Sequence, residues 1–296
     1  MNIHSFTIVK LAFILLLVGC ADQLPPDIAA NTQEVAKIRT ALEAGATEGS
    51  SDTEELAGPS GYVTLKGRFT LNGDAPALTP LTITKEASVC APGGKTVYAQ
   101  DVVVDPDTKG IANIVLYADK VPEAWVHESA MNPAEPEVVF DQKECVFLTH
   151  VVAMQTSQTL LVKNSDPVGH NLMVKSFNEI IPPGKSTTMT TRKQDVIPVK
   201  MSCSIHPWMT AYFIGRDDGY FAVTAKDGSF EIPNVPAGVK LTFRVWHERI
   251  GAISGSVNVN GSPQKWKKGK FSQTFDAASP PELNVELNAA DFTKKK

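Results

Sequence analysis

From Tyr62 to Leu71 the apolar residues return at every second position, and after it come short apolar runs with no helical stripe of useful length, a pattern that points to strands. Val63, Leu65, Phe69 and Leu71 alternate with Thr64, Lys66, Arg68 and Thr70, and the run stops at the turn signal Asn72-Gly73. Similar short runs recur at 102–104, 114–117, 138–140, 146–152, 159–162, 197–201, 212–214, 221–223 and 241–246. Pro and Gly punctuate them, as in Pro182-Pro183-Gly184 and Pro236-Ala237-Gly238. The expected class is all-β, with the strands packed as an antiparallel Greek-key β-sandwich. At 296 residues, 43% hydrophobic and 20% charged, the chain has enough apolar surface to bury a core. Its formal charge of -4 gives no footprint for nucleic acid.

The first residues follow a different logic. Lys10 precedes an apolar run, 11–19, of signal-peptide length and too short to span a bilayer. The run ends in Leu17-Val18-Gly19-Cys20, which resembles a bacterial lipobox. That resemblance implies removal of 1–19, acylation of Cys20, and an exported chain lipid-anchored to the periplasmic face of the envelope. In the same pattern Ala21 after the cysteine, rather than Asp, implies the outer membrane in a cell that has one. The competing reading is an ordinary signal peptide followed by a chance cysteine. Residues 20–60 read as a lipid-anchored stalk, rich in Ala, Glu, Gly, Ser and Thr. Within it Asp27 is placed to cap a short helix carrying Ile28, Val35, Ile38 and Leu42 on one stripe, and Gly45 to stop it.

The six histidines and four cysteines are few enough to be taken one by one. Cys203-Ser204-Ile205-His206-Pro207-Trp208-Met209 puts a thiol, an imidazole and a thioether in one short stretch. His170 lies upstream, after Asn164-Ser165-Asp166-Pro167-Val168-Gly169. Two imidazoles and a thiolate in a plane, with a weak axial thioether, are the donors of one type 1 copper ion. Cuprous ion favours soft sulfur and cupric ion favours nitrogen, so a rigid cage between the two preferences lets one electron come and go with little rearrangement. Zinc favours a closed tetrahedral set of nitrogen and anionic sulfur, which this set does not supply. The competing readings are a buried thiol beside a core histidine, or a copper fold that has lost its metal; no ligand of the set is missing.

Residues 164–214 resemble the cupredoxins, and the Cys-x2-His-x2-Met spacing is most similar to the short ligand loop of amicyanins. His170-Asn171-Leu172 is similar to the His-Asn-Val at the first ligand of that family. The resemblance implies that His170, Cys203 and His206 are equatorial ligands and Met209 the axial one. It implies a hydrogen-bonded clasp between Asn171 and Ser204, and an exposed His206 edge, set in an apolar patch with Pro207 and Trp208, through which electrons leave. The interval from His170 to Cys203 is shorter than amicyanins use. The function implied is single-electron transfer without catalysis, between redox proteins such as a c-type cytochrome or a periplasmic dehydrogenase. Two other readings stay open: a copper carrier or storage protein that does not cycle, and a surface lipoprotein that uses the fold as scaffold.

If Cys20 is acylated and Cys203 holds copper, Cys90 and Cys145 remain, and in an oxidising compartment they are expected to form a disulfide. Two separate buried thiols are the alternative. His150 and His247 read either as hydrogen-bonded structural histidines or as part of a second metal or proton-linked site. Past Arg216, the Asp227-Gly228 turn, Asn234-Val235-Pro236-Ala237-Gly238 and the run 241–246 resemble the C-terminal half of a carboxypeptidase-regulatory-like β-sandwich. The expected organisation is a cupredoxin-like domain over 61–215, this additional C-terminal segment over 216–290, open to sharing strands with the first, and a basic tail over 291–296. Trp266, set among Lys265, Lys267, Lys268 and Lys270, reads as part of a basic solvated surface.

Overall fold

The computed structural model describes residues 32–45 and 57–293. Cys20, the 1–19 segment, Asp27, Ile28 and the terminal lysines 294–296 lie outside the described residues. The first described piece is a helix, Thr32–Gly45, on which Val35 and Ile38 are both exposed. Among the described residues no helix is long and apolar enough to cross a membrane.

Residues 57–293 build two β-sandwiches, each with its own core. In the first, one sheet runs in the order Ser229–Ala237, Gly61–Asn72, Glu282–Asn288, Gly255–Val259, Ser262–Trp266. Its companion sheet runs Phe221–Val223, Val115–Ala118, Lys240–His247, Gly251–Ala252, with Lys270–Thr274 also paired to Lys240–His247. The alternation read from 63–71 is realised directly: Val63, Leu65, Phe69 and Leu71 are buried against Leu116, Ile232, Phe243 and Val285. The segment 216–290 therefore shares strands with the residues before it, since Gly61–Asn72 bonds to both Ser229–Ala237 and Glu282–Asn288.

The second sandwich is made of residues 137–216. One sheet runs Val151–Gln155, Thr210–Arg216, Val199–Ser202, His170–Val174, Phe177–Ile181, and the other Val146–Phe147, Glu137–Lys143, Thr159–Asn164, Ser186–Thr190. Phe140, Phe147, Leu160, Leu172, Met201 and Phe213 fill the space between them. A third small cluster of Val115, Tyr117, Val151, Ile214 and Trp246 joins the two cores.

Three details differ from the expectation. The sheets are mixed: Gly61–Asn72 with Glu282–Asn288, Glu137–Lys143 with Thr159–Asn164, and Val151–Gln155 with Thr210–Arg216 are parallel pairs. Between 143 and 159 the chain crosses to the opposite sheet and back, which is the crossover that a parallel pair requires. The 102–104 run forms only an isolated bridge, Val104 to Ile111. Trp266 is buried and stacked on Phe271, with ring centroids 4.8 Å apart, because the lysines around it point out of a regular hairpin.

The long connection 73–101 leaves the first sandwich and lies against the second. Ile83 and Val89 pack on the core of the second, and Cys90 is joined to Cys145 by a disulfide that closes a sequence separation of 55. On the chain-entropy account such a loop is worth about 4 kcal/mol. Just before the short helix Ala87–Cys90, Glu86 sits in the left-handed region at φ 47, ψ 40.

Candidate metal centre

Val199–Ser202 and Thr210–Arg216 form a hairpin in which Ser202 is paired with Thr210, so residues 203–209 are its loop. The loop is held tightly: the Cys203 N–H donates to the Met209 carbonyl at 3.2 Å, and the Met209 N–H to the His206 carbonyl at 2.9 Å. The Cys203 Sγ accepts two backbone N–H bonds, from Asn171 at 3.3 Å and from His206 at 3.4 Å. Cys203 is the free cysteine of the described residues and is buried.

His170 opens the neighbouring strand, where it pairs with Ile181. That register aims its ring at the loop: His170 Nδ1 lies 3.0 Å from His206 Nδ1, and His206 Nδ1 lies 3.9 Å from Cys203 Sγ. All three donor atoms lie within 4.8 Å of one another, and all three residues are buried. A single ion about 2.0 Å from each nitrogen and about 2.3 Å from sulfur spaces two nitrogens by roughly 3.5 Å and nitrogen from sulfur by roughly 3.7 Å. The observed triangle is of that size. Met209 is buried at the end of the same loop.

The other ring nitrogens explain which atoms face inward. His170 Nε2 lies 2.7 Å from Asp166 Oδ2, and His206 Nε2 meets the Glu86 carboxylate. With a carboxylate on each outer nitrogen, the two Nδ1 atoms are left facing each other, an arrangement that a proton shared between the rings or a metal ion bound by both would satisfy. Burial holds His170 below the usual imidazole range, opposed by its hydrogen bond to Asp166, which favours a neutral ring able to act as a ligand. The donor set thus fits a soft or borderline metal bound through two neutral imidazoles and a thiolate.

Asn171 and Ser204 are brought together. The Ser204 N–H and Oγ–H both donate to Asn171 Oδ1, at 3.1 and 3.0 Å, while Asn171 Nδ2 donates to Asn178 Oδ1 and the Glu179 carbonyl. One amide therefore pins the ligand loop to the strand that carries His170. Trp208 lies with its ring centroid 5.1 Å from that of His206 and donates to the Cys145 carbonyl.

The expected exposed edge of His206 is not found. The ring is 0% exposed, because the connection 73–101 folds over it, placing Glu86 on Nε2 and the Cys90–Cys145 disulfide beside it. Sequence reasoning missed this cover, since 120 residues separate Glu86 from His206 and no local pattern marks it. Asp166 was within reach. It stands four residues before His170 in a bend, where its carboxylate takes the Glu144 and Cys145 N–H groups as well as the ring.

His150 and His247 stand outside the His170–Cys203–His206 triangle, although His150 lines a small cavity together with Trp208 and Met209. His150 Nε2 is 2.5 Å from Glu248 Oε1, and Glu248 also takes a hydrogen bond from Tyr212, whose hydroxyl burial and the nearby Glu248 push up to about 12. His247 is buried, accepts the Arg249 N–H on Nδ1 at 3.3 Å and packs edge-on to Phe292. Neither enters a cluster with metal-ligand spacing among the described residues.

No protein-family model matches the chain, and no curated protein does. Among solved structures, the crystal structure of amicyanin from Paracoccus versutus (Thiobacillus versutus) is 20% identical, covers 36% of this chain and 99% of its own, and has a TM-score of 0.25. The reduced Cu(I) form, at pH 4, of an amicyanin mutant is 16% identical, covers 28% of this chain and 85% of its own, also at a TM-score of 0.25.

Proposed function

We propose that the chain binds one copper ion through His170, Cys203, His206 and Met209 and carries single electrons. One observation carries the reading: two buried imidazoles present their Nδ1 atoms to each other 3.0 Å apart beside a buried cysteine sulfur, with both outer nitrogens held by carboxylates. Bound copper would supply a one-electron couple, with soft sulfur and nitrogen donors acceptable to both oxidation states. The chain's own part is rigidity. Two N–H bonds hold the Cys203 sulfur, Asn171 locks the loop, Asp166 and Glu86 fix the imidazoles, and burial excludes water.

In this reading the protein is not an enzyme, its partners are redox proteins of the c-type cytochrome or periplasmic dehydrogenase kind, and Cys20 anchors it by lipid to the periplasmic side of the envelope. The closed His206 edge favours one alternative, a copper carrier that does not cycle. Copper loading followed by visible and electron paramagnetic resonance spectra separates them. The electron-carrier reading expects an intense thiolate-to-copper band that disappears on reduction and in Cys203→Ser. Tight cuprous binding without colour on oxidation supports the carrier, and failure to bind stoichiometric copper removes both.

A further inference from the structure

We infer that Glu86 is a positioning residue for His206, fixing which imidazole nitrogen faces the metal and biasing the bound ion toward its more oxidised state. This rests on the copper reading above. Glu86 comes from a connection that contributes no strand to the metal-bearing sandwich, yet its carboxylate meets Nε2 of a buried ligand ring. The pairing selects the Nε2–H form and leaves the Nδ1 lone pair toward Cys203 and His170. Asp166 does the same for His170, so each ligand imidazole backs onto its own carboxylate.

The backbone is arranged to make this contact. A glutamate at φ 47, ψ 40 is in a region that favours Gly, Asn and Asp, and such a conformation persists only where the surroundings impose it. Here the surroundings are identifiable. The Val89 and Cys90 N–H groups both donate to the Glu86 carbonyl, the disulfide ties Cys90 down, and Lys85 Nζ donates to the Ile205 carbonyl at 3.1 Å. The side chain of Glu86 is 41% exposed while that of His206 is 0% exposed, so Glu86 stands between the ring and solvent.

An anionic acceptor on the outer nitrogen makes the imidazole a better donor and stabilises the higher-charged ion more than the lower. Removing such a partner typically alters metal affinity by about 10- to 100-fold. If the loss falls on the cupric form, a tenfold change in the cupric-to-cuprous affinity ratio is a rise of about 59 mV in midpoint potential.

The test is spectroelectrochemical titration and electron paramagnetic resonance of the copper-loaded full chain as wild type, Glu86→Gln and Glu86→Asn. Glu86→Asn removes the carboxylate while suiting the left-handed backbone, so the fold and the disulfide are kept if Glu86→Gln proves unstable. The expected result is a higher midpoint in the variants, by about tenfold in the affinity ratio, with altered copper hyperfine splitting. A ratio changed by less than twofold, with an unchanged spectrum, overturns the inference while leaving the copper site standing. A wild-type protein that never develops the thiolate-to-copper band overturns the copper reading and this inference with it.

Discussion

Nε2 of His170 lies 2.7 Å from Oδ2 of Asp166, four residues earlier in the chain, with both side chains buried. This contact decides which nitrogen of the ring is free to bind a metal. Asp166 also accepts the Glu144 and Cys145 N–H groups, so it cannot swing away. Asp166→Asn keeps the shape but loses the charge, and should weaken copper binding by about 10- to 100-fold, read by competition with a chromophoric chelator. Unchanged affinity would show that the ring is held by packing alone.

Asn171 makes four side-chain hydrogen bonds while buried. Asn171→Ala strands the Ser204 donors and frees the ligand loop, with an expected cost of about 2 to 3 kcal/mol in urea unfolding of the metal-free protein. A loss under about 0.5 kcal/mol would show that the clasp is replaced by water.

The Cys90–Cys145 disulfide ties the connection 73–101 to the second sandwich, residues 137–216. Replacing both cysteines by alanine should cost about 4 kcal/mol, or about 10 °C in thermal midpoint for a chain of this size. It should also speed proteolysis within 73–101, since the exposed Gly93 and Gly94 would lose the tether at Cys90 and keep only the Lys95–Glu144 ion pair beyond them. Equal midpoints would mean that Ile83 and Val89 hold the connection by themselves.

His247 gives the protein a pH dependence that comes from outside the His170–Cys203–His206 triangle. Burial, then the nearby His150 and Arg249, push its pKa down from 6.5 to about 3. It is neutral when folded and protonated when unfolded between those values, so unfolding takes up a proton there. The stability it contributes is complete above about pH 6.5 and drains away as pH falls toward 3, at up to about 1.4 kcal/mol per pH unit. His247→Gln should flatten the dependence of the urea midpoint between pH 6.5 and 4; parallel curves would assign the slope to other groups.

Strands 61–72 and 240–247 announce themselves because one face is buried and the other wet, which writes a period of two into the sequence. Asp227-Gly228 is equally plain: Gly228 takes φ +80, and a Cβ there would lie 2.2 Å from the Phe69 carbonyl oxygen. The triangle of His170, Cys203 and His206 was readable because two of its members share a loop and soft donors at close spacing have few other uses. Glu86 was not, since its role depends on a long-range approach and an isolated carboxylate looks like any solvated one. The parallel pairs and the burial of Trp266 were hidden for a related reason: local alternation says which face a residue takes but not which strand lies beside it.

Tyr117 stands opposite Phe221 where Val115–Ala118 and Phe221–Val223 pair, so the entry and exit of everything between them meet at one seam. The second sandwich is in this sense a cassette let into a single opening of another fold, and could be exchanged there without unthreading any other strand. Its lid would stay behind. Glu86 and Cys90 belong to the frame, so a cassette cut free would keep His170, Cys203, His206 and Met209 but lose the cover over the His206 ring, and the frame decides whether that ring is open or sealed.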